Sequence, residues 1–268
     1  MKITCHLVLL RAASAALVGL VLAASQARAV IVASDTFSIT ETRQAGSTLN
    51  GSTTETGELV WNANAQWKLA EEGHVTADGT SSAGFALPFS FASYSQTGSI
   101  ATISFDVTFP RNNDSTWYAF GFGTNAGGGL NSTSGVIWVQ VSSRLGGWSV
   151  KTGATNAATG TLTETLGSYN RNNTYTWSLS YNESTRTIVD VSVNGTSIVS
   201  NYIVPEGITL NAASAISFFG QYPAGGSTEK VDNFKLEITA SNIPEPGTWT
   251  LLIGTIVLVG AIAWKKSQ

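Results

Sequence analysis

The sequence predicts an all-β protein whose central part folds as a two-sheet antiparallel sandwich, or jelly roll. Apolar and polar residues alternate with a period of two in many short segments, and no segment of residues 30–242 keeps the apolar spacing of a surface helix. Clusters of Gly, Asn and Ser separate these segments. About a dozen short strands in one stretch without a proline-rich linker predict a single sandwich domain.

The individual strands are predicted from their alternation and from the turns between them. In residues 101–109 the odd positions are apolar and the even positions polar, which predicts a half-buried strand with Asp106 facing water. Asn194-Gly195 predicts a type I′ hairpin turn. The other predicted strands are residues 117–124, 136–142, 175–181, 189–193, 196–204, 215–221 and 231–239.

Charge and residue inventory exclude several classes of function. Residues 30–243 carry nine Lys or Arg against sixteen Asp or Glu, whereas a nucleic-acid groove needs clustered Lys and Arg. Cys5 is the only cysteine and His74 the only histidine of the central part, so zinc centres and Cys-His nucleophile pairs are also excluded.

The N-terminal segment, residues 1–29, has the pattern of a secretory signal helix. Lys2 and Arg11 precede an apolar run over residues 12–24, and the small residues Ala27 and Ala29 frame a cleavage site before Val30. An uncleaved membrane anchor is the alternative, although the run is shorter than the ~20 residues that a span needs. We therefore expect export and cleavage by signal peptidase.

The C-terminal segment, residues 243–268, combines three features in order. Pro244-Glu245-Pro246 lies in a motif over residues 243–249, an apolar stretch over 247–264 is long enough for a transmembrane helix, and a basic tail occupies 265–268. This ordered trio resembles a PEP-CTERM sorting signal. The tail departs from the family pattern, because it carries Lys265-Lys266 where arginines are usual.

The PEP-CTERM resemblance implies a route for the exported protein. An exosortase would recognise Pro244, Glu245 and Pro246 and process the chain after transient anchoring in the inner membrane. The domain of residues 30–242 would then reach the cell surface or the extracellular matrix. An ordinary single-span anchor is the alternative.

The central domain also resembles concanavalin-like and laminin-G-like lectin jelly rolls. The resemblance depends on an opening Asp35-Thr36-Phe37, on Leu49-Asn50-Gly51, on Trp61 and Trp67, and on a closing Val231-Asp232-Asn233-Phe234. It predicts a lectin-like fold and says little about activity.

No catalytic motif stands out in the central domain. Lectin-like glucanases carry their carboxylates on a Glu-x-Asp-x-Glu strand, and no such triplet occurs here. A Gly-x-Ser-x-Gly turn is also missing. Asp106 and Asp190 are single strand acids without a second carboxylate two residues on. A non-catalytic protein is therefore expected.

Two acids are predicted to point inward, because Asp35 shares strand parity with Phe37 and Asp232 shares it with Phe234. A buried carboxylate must be paired, hydrogen-bonded or metal-bound. Related carbohydrate-binding jelly rolls place a structural Ca²⁺ where first and last strands meet, which implies a calcium site at Asp35 and Asp232. The alternative is that each Asp accepts local backbone hydrogen bonds.

Two tryptophans are candidate sugar-stacking residues. Trp148 follows Gly146-Gly147 in a predicted hairpin turn, and Trp117 stands beside Tyr118. The alternative for both is burial in the core. The sequence thus predicts an exported bacterial protein that binds or organises extracellular polysaccharide, with a secreted glycan-active enzyme, a hydrolase or lyase, as the alternative.

Overall fold

The chain is built almost entirely of β-strands in the part that the structure describes. This structure is a computed structural model, and it describes residues 29–77, 81–91, 98–112, 115–125, 127, 129–210, 213–221 and 229–239. The strands are β1 (Ala29–Asp35), β2 (Asn62–Ala63), β3 (Trp67–Leu69), β4 (Val75–Ala77), β5 (Ala83–Pro88), β6 (Ile100–Thr108), β7 (Trp117–Gly123), β8 (Gly135–Ser142), β9 (Gly147–Thr152), β10 (Thr155–Thr161), β11 (Tyr175–Asn182), β12 (Thr187–Val193), β13 (Thr196–Ile203), β14 (Ala215–Gly220) and β15 (Lys230–Thr239).

These strands form two antiparallel sheets. The eight-stranded sheet has the order β13-β12-β11-β6-β15-β4-β3, with β1 also paired to β15. The seven-stranded sheet has the order β10-β9-β8-β7-β14-β5-β2. The predicted all-β class and the two antiparallel sheets are confirmed.

A short helix, α1 (Leu162–Leu166), connects the two sheets after β10. Its first turn is closed by a capping box, in which Thr161 and Glu164 satisfy each other's backbone N–H groups. It ends at Gly167, whose φ of 78° suits a residue without a side chain. No helix within the described ranges has the length and apolar character that a membrane crossing requires.

The core lies between the two sheets and is filled by aromatic rings. Trp67 of the eight-stranded sheet meets Phe85 of the seven-stranded sheet edge-on, with ring centroids 5.2 Å apart. Trp177 donates its indole N–H across the same space to the hydroxyl of Tyr118, at 2.9 Å. These rings are large enough to fill the ~10 Å that separates packed sheets.

The predicted strand parity is confirmed in β6, where buried and half-buried residues alternate and Asp106 lies on the outer face. The predicted hairpin turn is also confirmed, because Asn194 and Gly195 both have positive φ, 50° and 76°. The signal peptide and the PEP-CTERM segment lie outside the described residues, apart from Ala29, an exposed residue that begins β1.

The inward orientation predicted for Asp232 is wrong. The register between β15 and β6 shifts between Asp232 and Lys235, and Asn233 has a φ of 50°. Such a bulge inserts an extra residue and reverses the parity that follows it. Val231 and Phe234 therefore both point into the core, and Asp232 lies half-buried on the outer face.

Candidate functional site

The carboxylate of Asp35, at the end of β1, is fully buried and holds the loop that follows it. Arg43 donates to both carboxylate oxygens, at 2.8 and 3.2 Å, and the indole N–H of Trp61 donates at 2.7 Å. The backbone N–H of Phe37 completes the set at 2.8 Å. The inward orientation predicted for Asp35 is thus confirmed, and a paired arginine accompanies it.

This environment does not fit the calcium ion implied by the sequence. Burial raises the pKa of Asp35 above its ordinary value, while the hydrogen bonds from Arg43 and Trp61 lower it. A Ca²⁺ ion at these oxygens would have to lie against the guanidinium, and like charges repel. Sequence reasoning missed Arg43, because a residue eight positions further along a loop gives no periodic signal.

The second predicted calcium ligand, Asp232, lies near Asp35 but in different surroundings. β1 pairs with β15 as expected for the first and last strands. Burial raises the pKa of Asp232, and the nearby carboxylates of Asp106, Glu55 and Asp35 add to the effect. Within the described ranges no three acids, His or Cys gather in a group that could hold a metal ion.

Trp148, a candidate sugar-stacking residue, is buried rather than exposed. The residue is 8% exposed, and its indole N–H donates to the hydroxyl of Thr165 at 3.3 Å. The ring lies against Gly160 of the neighbouring strand, where any side chain would collide with it. The alternative reading of Trp148 as a core residue is therefore the one that the structure supports.

Trp117 is half-buried on the outer face of the seven-stranded sheet and belongs to an aromatic pair. Its ring centroid lies 5.1 Å from that of Phe219, at an interplanar angle of 41°. Ala119, Leu130 and Trp138 form a buried apolar layer against which this pair packs. Sequence parity on β14 could have found Phe219, since its neighbour Phe218 points into the core.

Polar side chains continue the outer face beside this pair. Cross-strand partners place Ser149, Gln140, Ala119 and Phe219 in one row across four strands. At a strand spacing of 4.7–4.9 Å such a row is about 14 Å long. Lys151 lies two residues from Ser149 along β9, in register with Trp138, and its ammonium is 5.1 Å from the centroid of the Trp138 ring. We call Trp117, Phe219, Gln140, Ser149 and Lys151 the outer aromatic face.

Comparisons with known proteins show likeness in fold. No protein-family model and no curated protein matches the sequence. A sialidase of Trypanosoma rangeli in complex with sialic acid has 20% identity and a TM-score of 0.50, over 82% of this chain and 32% of that chain. The chain thus spans about a third of the length of that sialidase.

Lectin-like domains are also among the similar structures. The carbohydrate recognition domain of Emp47p has 13% identity and a TM-score of 0.48, over 73% of this chain and 93% of that chain. Arcelin-5, a lectin-like defence protein of Phaseolus vulgaris, has 9% identity and a TM-score of 0.48, over 80% of this chain and 97% of that chain. At these identities the likeness concerns the fold alone.

Replacing Arg43 with methionine should destabilise the protein strongly. The change leaves the buried Asp35 carboxylate without its charged partner, which costs about 3–5 kcal/mol of the free energy of unfolding. Urea denaturation measures the loss. Lys235→Met, which removes a lysine 3.0 Å from Glu237 on the outer face, should cost less than about 1 kcal/mol.

The Arg43→Met deficit should also shrink as the pH falls from neutral to mildly acidic values. Burial raises the pKa of Asp35 and Arg43 lowers it, so the pKa in the folded variant is higher than in the wild type, and the folded variant binds a proton that its unfolded chain has released. Stability therefore rises as the pH falls through the raised pKa. If Arg43→Met lost the same free energy of unfolding at neutral and at mildly acidic pH, a buried, unpaired carboxylate in the variant would be contradicted.

Gly160→Ala should lower the melting temperature, because the new methyl group collides with the ring of Trp148. Overpacking of this kind costs about 1–3 kcal/mol, or roughly 2–4 °C per kcal/mol in a chain of this size. Gly147→Ala is the matched control, since its added carbon comes no closer than 3.9 Å to a neighbouring atom. Equal melting temperatures for the two variants would show that Trp148 moves freely.

Proposed function

We propose that this protein is an exported bacterial surface or matrix protein that binds extracellular polysaccharide through the outer aromatic face. The observation that carries the proposal is the half-buried pair of Trp117 and Phe219 beside a row of polar side chains. An aromatic ring covers the apolar C–H face of a sugar, and neighbouring polar groups hydrogen-bond its hydroxyls.

The shape of the face suits an extended sugar chain. Ala119 lies between Gln140 and Phe219 in the row but is buried, so the accessible surface there belongs to the larger side chains around it. Gln140 offers both donors and an acceptor, and Lys151 offers donors at the far end. A chain stacked on Trp117 and Phe219 could therefore reach polar partners along about 14 Å of sheet. Sandwich folds host many functions, so these residues, rather than the fold, support the proposal.

Export and sorting belong to the same proposal and rest on the sequence. Signal peptidase would cleave after Ala29, and an exosortase would recognise Pro244, Glu245 and Pro246. The basic tail of residues 265–268 would keep the C-terminus in the cytoplasm, which places the β-sandwich outside the inner membrane. The protein would act by binding rather than by catalysis.

One observation favours a glycan-active enzyme as the second candidate. Asp106 and Asp232 are cross-strand partners on the outer face of the eight-stranded sheet, and the Cβ atoms of opposed residues lie about 5 Å apart, which allows their carboxyl groups to approach each other. Retaining glycosidases need two carboxyl groups about 5–5.5 Å apart. However, Thr176 and the side chain of Asn233 already donate to Asp106, at 2.6 and 2.8 Å. Release of reducing ends from polysaccharides by the exported protein would favour this candidate.

Trp117→Ala and Phe219→Ala should each weaken binding to neutral oligosaccharides by roughly tenfold or more. Each change removes one ring of the stacking platform, and a factor of ten corresponds to about 1.4 kcal/mol. A glycan array identifies the ligand, and isothermal titration calorimetry then measures the affinity. Tyr202→Ala is the control, because this half-buried ring lies on the eight-stranded sheet. Equal affinities for all four proteins would refute the assignment of the face.

Replacing Pro244, Glu245 and Pro246 with alanine should block C-terminal processing. A cell that carries an exosortase should then retain a larger, membrane-bound species, which immunoblots of membrane and secreted fractions detect. Alanine at the adjacent Ser241 and Asn242 is the control and should leave processing unchanged. Wild-type size and fractionation in the triple variant would exclude sorting through this motif.

A further inference from the structure

A polar cleft of about 480 Å³ opens beside the short β3–β4 hairpin. The side chains that matter for its chemistry are Lys68, Glu71, Glu72, His74, Thr76 and Lys230. The cleft thus gathers two of the nine lysines and arginines of residues 30–243 in a region of overall negative charge. None of these residues belongs to the outer aromatic face.

The floor of the cleft follows from strand register. Lys68 and Thr76 are cross-strand partners on β3 and β4, and Val75 pairs with Val231 of β15. Because Val75 and Val231 are buried in the core, their neighbours Thr76 and Lys230 point to the opposite side of the sheet. The two lysines therefore flank Thr76 across three adjacent strands.

The burial of Thr76 points to a ligand site independently of the charges around the cleft. The residue is only 4% exposed, and its hydroxyl finds no hydrogen-bond partner among the described residues. Buried hydroxyls are nearly always hydrogen-bonded, so the Thr76 hydroxyl leaves a position in the cleft wall that a ligand oxygen or a water can fill. A hydroxyl on the strand between those that carry Lys68 and Lys230 suits an acceptor with negative charge.

The remaining cleft residues limit what kind of anion fits. Glu71 and Glu72 are exposed in the turn after β3, Lys230 is exposed at the start of β15, and Lys68 is half-buried, so both signs of charge line the cleft. Burial lowers the pKa of His74, the charge of Lys230 lowers it further, and Glu72 raises it. His74 is therefore neutral at neutral pH and can donate or accept a hydrogen bond.

We propose that this cleft binds the carboxylate of a hexuronic acid residue in an acidic polysaccharide. Lys68, Lys230 and the Thr76 hydroxyl donate to the sugar carboxylate, and Glu71 and Glu72 accept hydrogen bonds from its ring hydroxyls. A fully anionic ligand such as a polyphosphate would be repelled by the two glutamates, whereas a uronate presents one charge among several hydroxyls. The choice of a sugar rests on the proposed function, but the site itself is separate from the outer aromatic face.

The test compares a galacturonic acid trimer with a neutral galactose trimer by isothermal titration calorimetry on the exported protein. Lys230→Met and Thr76→Val should each weaken uronate binding by roughly tenfold and leave galactose binding unchanged, because each removes a donor to the carboxylate. Uronate binding should also weaken as salt is added, since ionic attraction is screened. Lys235→Met is the matched control, a lysine of the same strand outside the cleft.

The outcomes separate this proposal from the proposed function. Uronate binding that is lost in Trp117→Ala but unchanged in Lys230→Met would place the acidic sugar on the outer aromatic face and overturn the cleft assignment. Uronate affinity that neither Lys230→Met nor Thr76→Val changes, or no uronate binding while galactose binds, would also overturn it. Uronate binding that depends on Lys230 while Trp117→Ala has no effect on any sugar would instead support the cleft and refute the outer face. Acetate tests the bare carboxylate, and its competition with the trimer would support the assignment.

Discussion

The layer of aromatic rings between the two sheets is the constraint on which the rest of the structure depends. Phe85 and Phe218 stack at 5.2 Å in the seven-stranded sheet, and Phe105 and Phe234 meet at 5.1 Å in the eight-stranded sheet. Rings of this size fix the separation of the sheets, because each fills the space that smaller side chains would leave empty. Every outer residue is then placed by its parity relative to this layer.

The buried carboxylate of Asp35 fixes the position of residues 36–61, a region with little regular structure. Residues 36–61 contain only isolated bridges rather than long strands. A buried charge needs hydrogen-bond partners, and Arg43 and Trp61, 18 residues apart in this segment, both donate to the Asp35 carboxylate. The carboxylate of Glu55 accepts four hydrogen bonds from Thr36 and Ser38, which outweigh the effect of its partial burial and lower its pKa. Polar contacts therefore organise the chain where strand pairing does not.

The two outer faces of the sandwich carry different chemistry. The seven-stranded sheet presents aromatic and neutral polar side chains around Trp117, whereas the eight-stranded sheet presents lysines and carboxylates between β3 and β6. The bulge at Asn233 contributes to this difference, because it moves Asp232 from the core side to the outer side next to Asp106. One sandwich can thus offer a stacking surface and a charged cleft on separate faces.

The sequence by itself determined the sheet class, the parity of β6, the Asn194-Gly195 turn and the burial of Asp35, because these depend on neighbours within a few residues. It also predicted the export and sorting signals, which are linear patterns. It could not assign Trp148 to the core, pair Arg43 with Asp35, or find the cleft around Thr76. Those features join residues that are distant along the chain, and register and bulges, set by packing between strands, decide which of them meet.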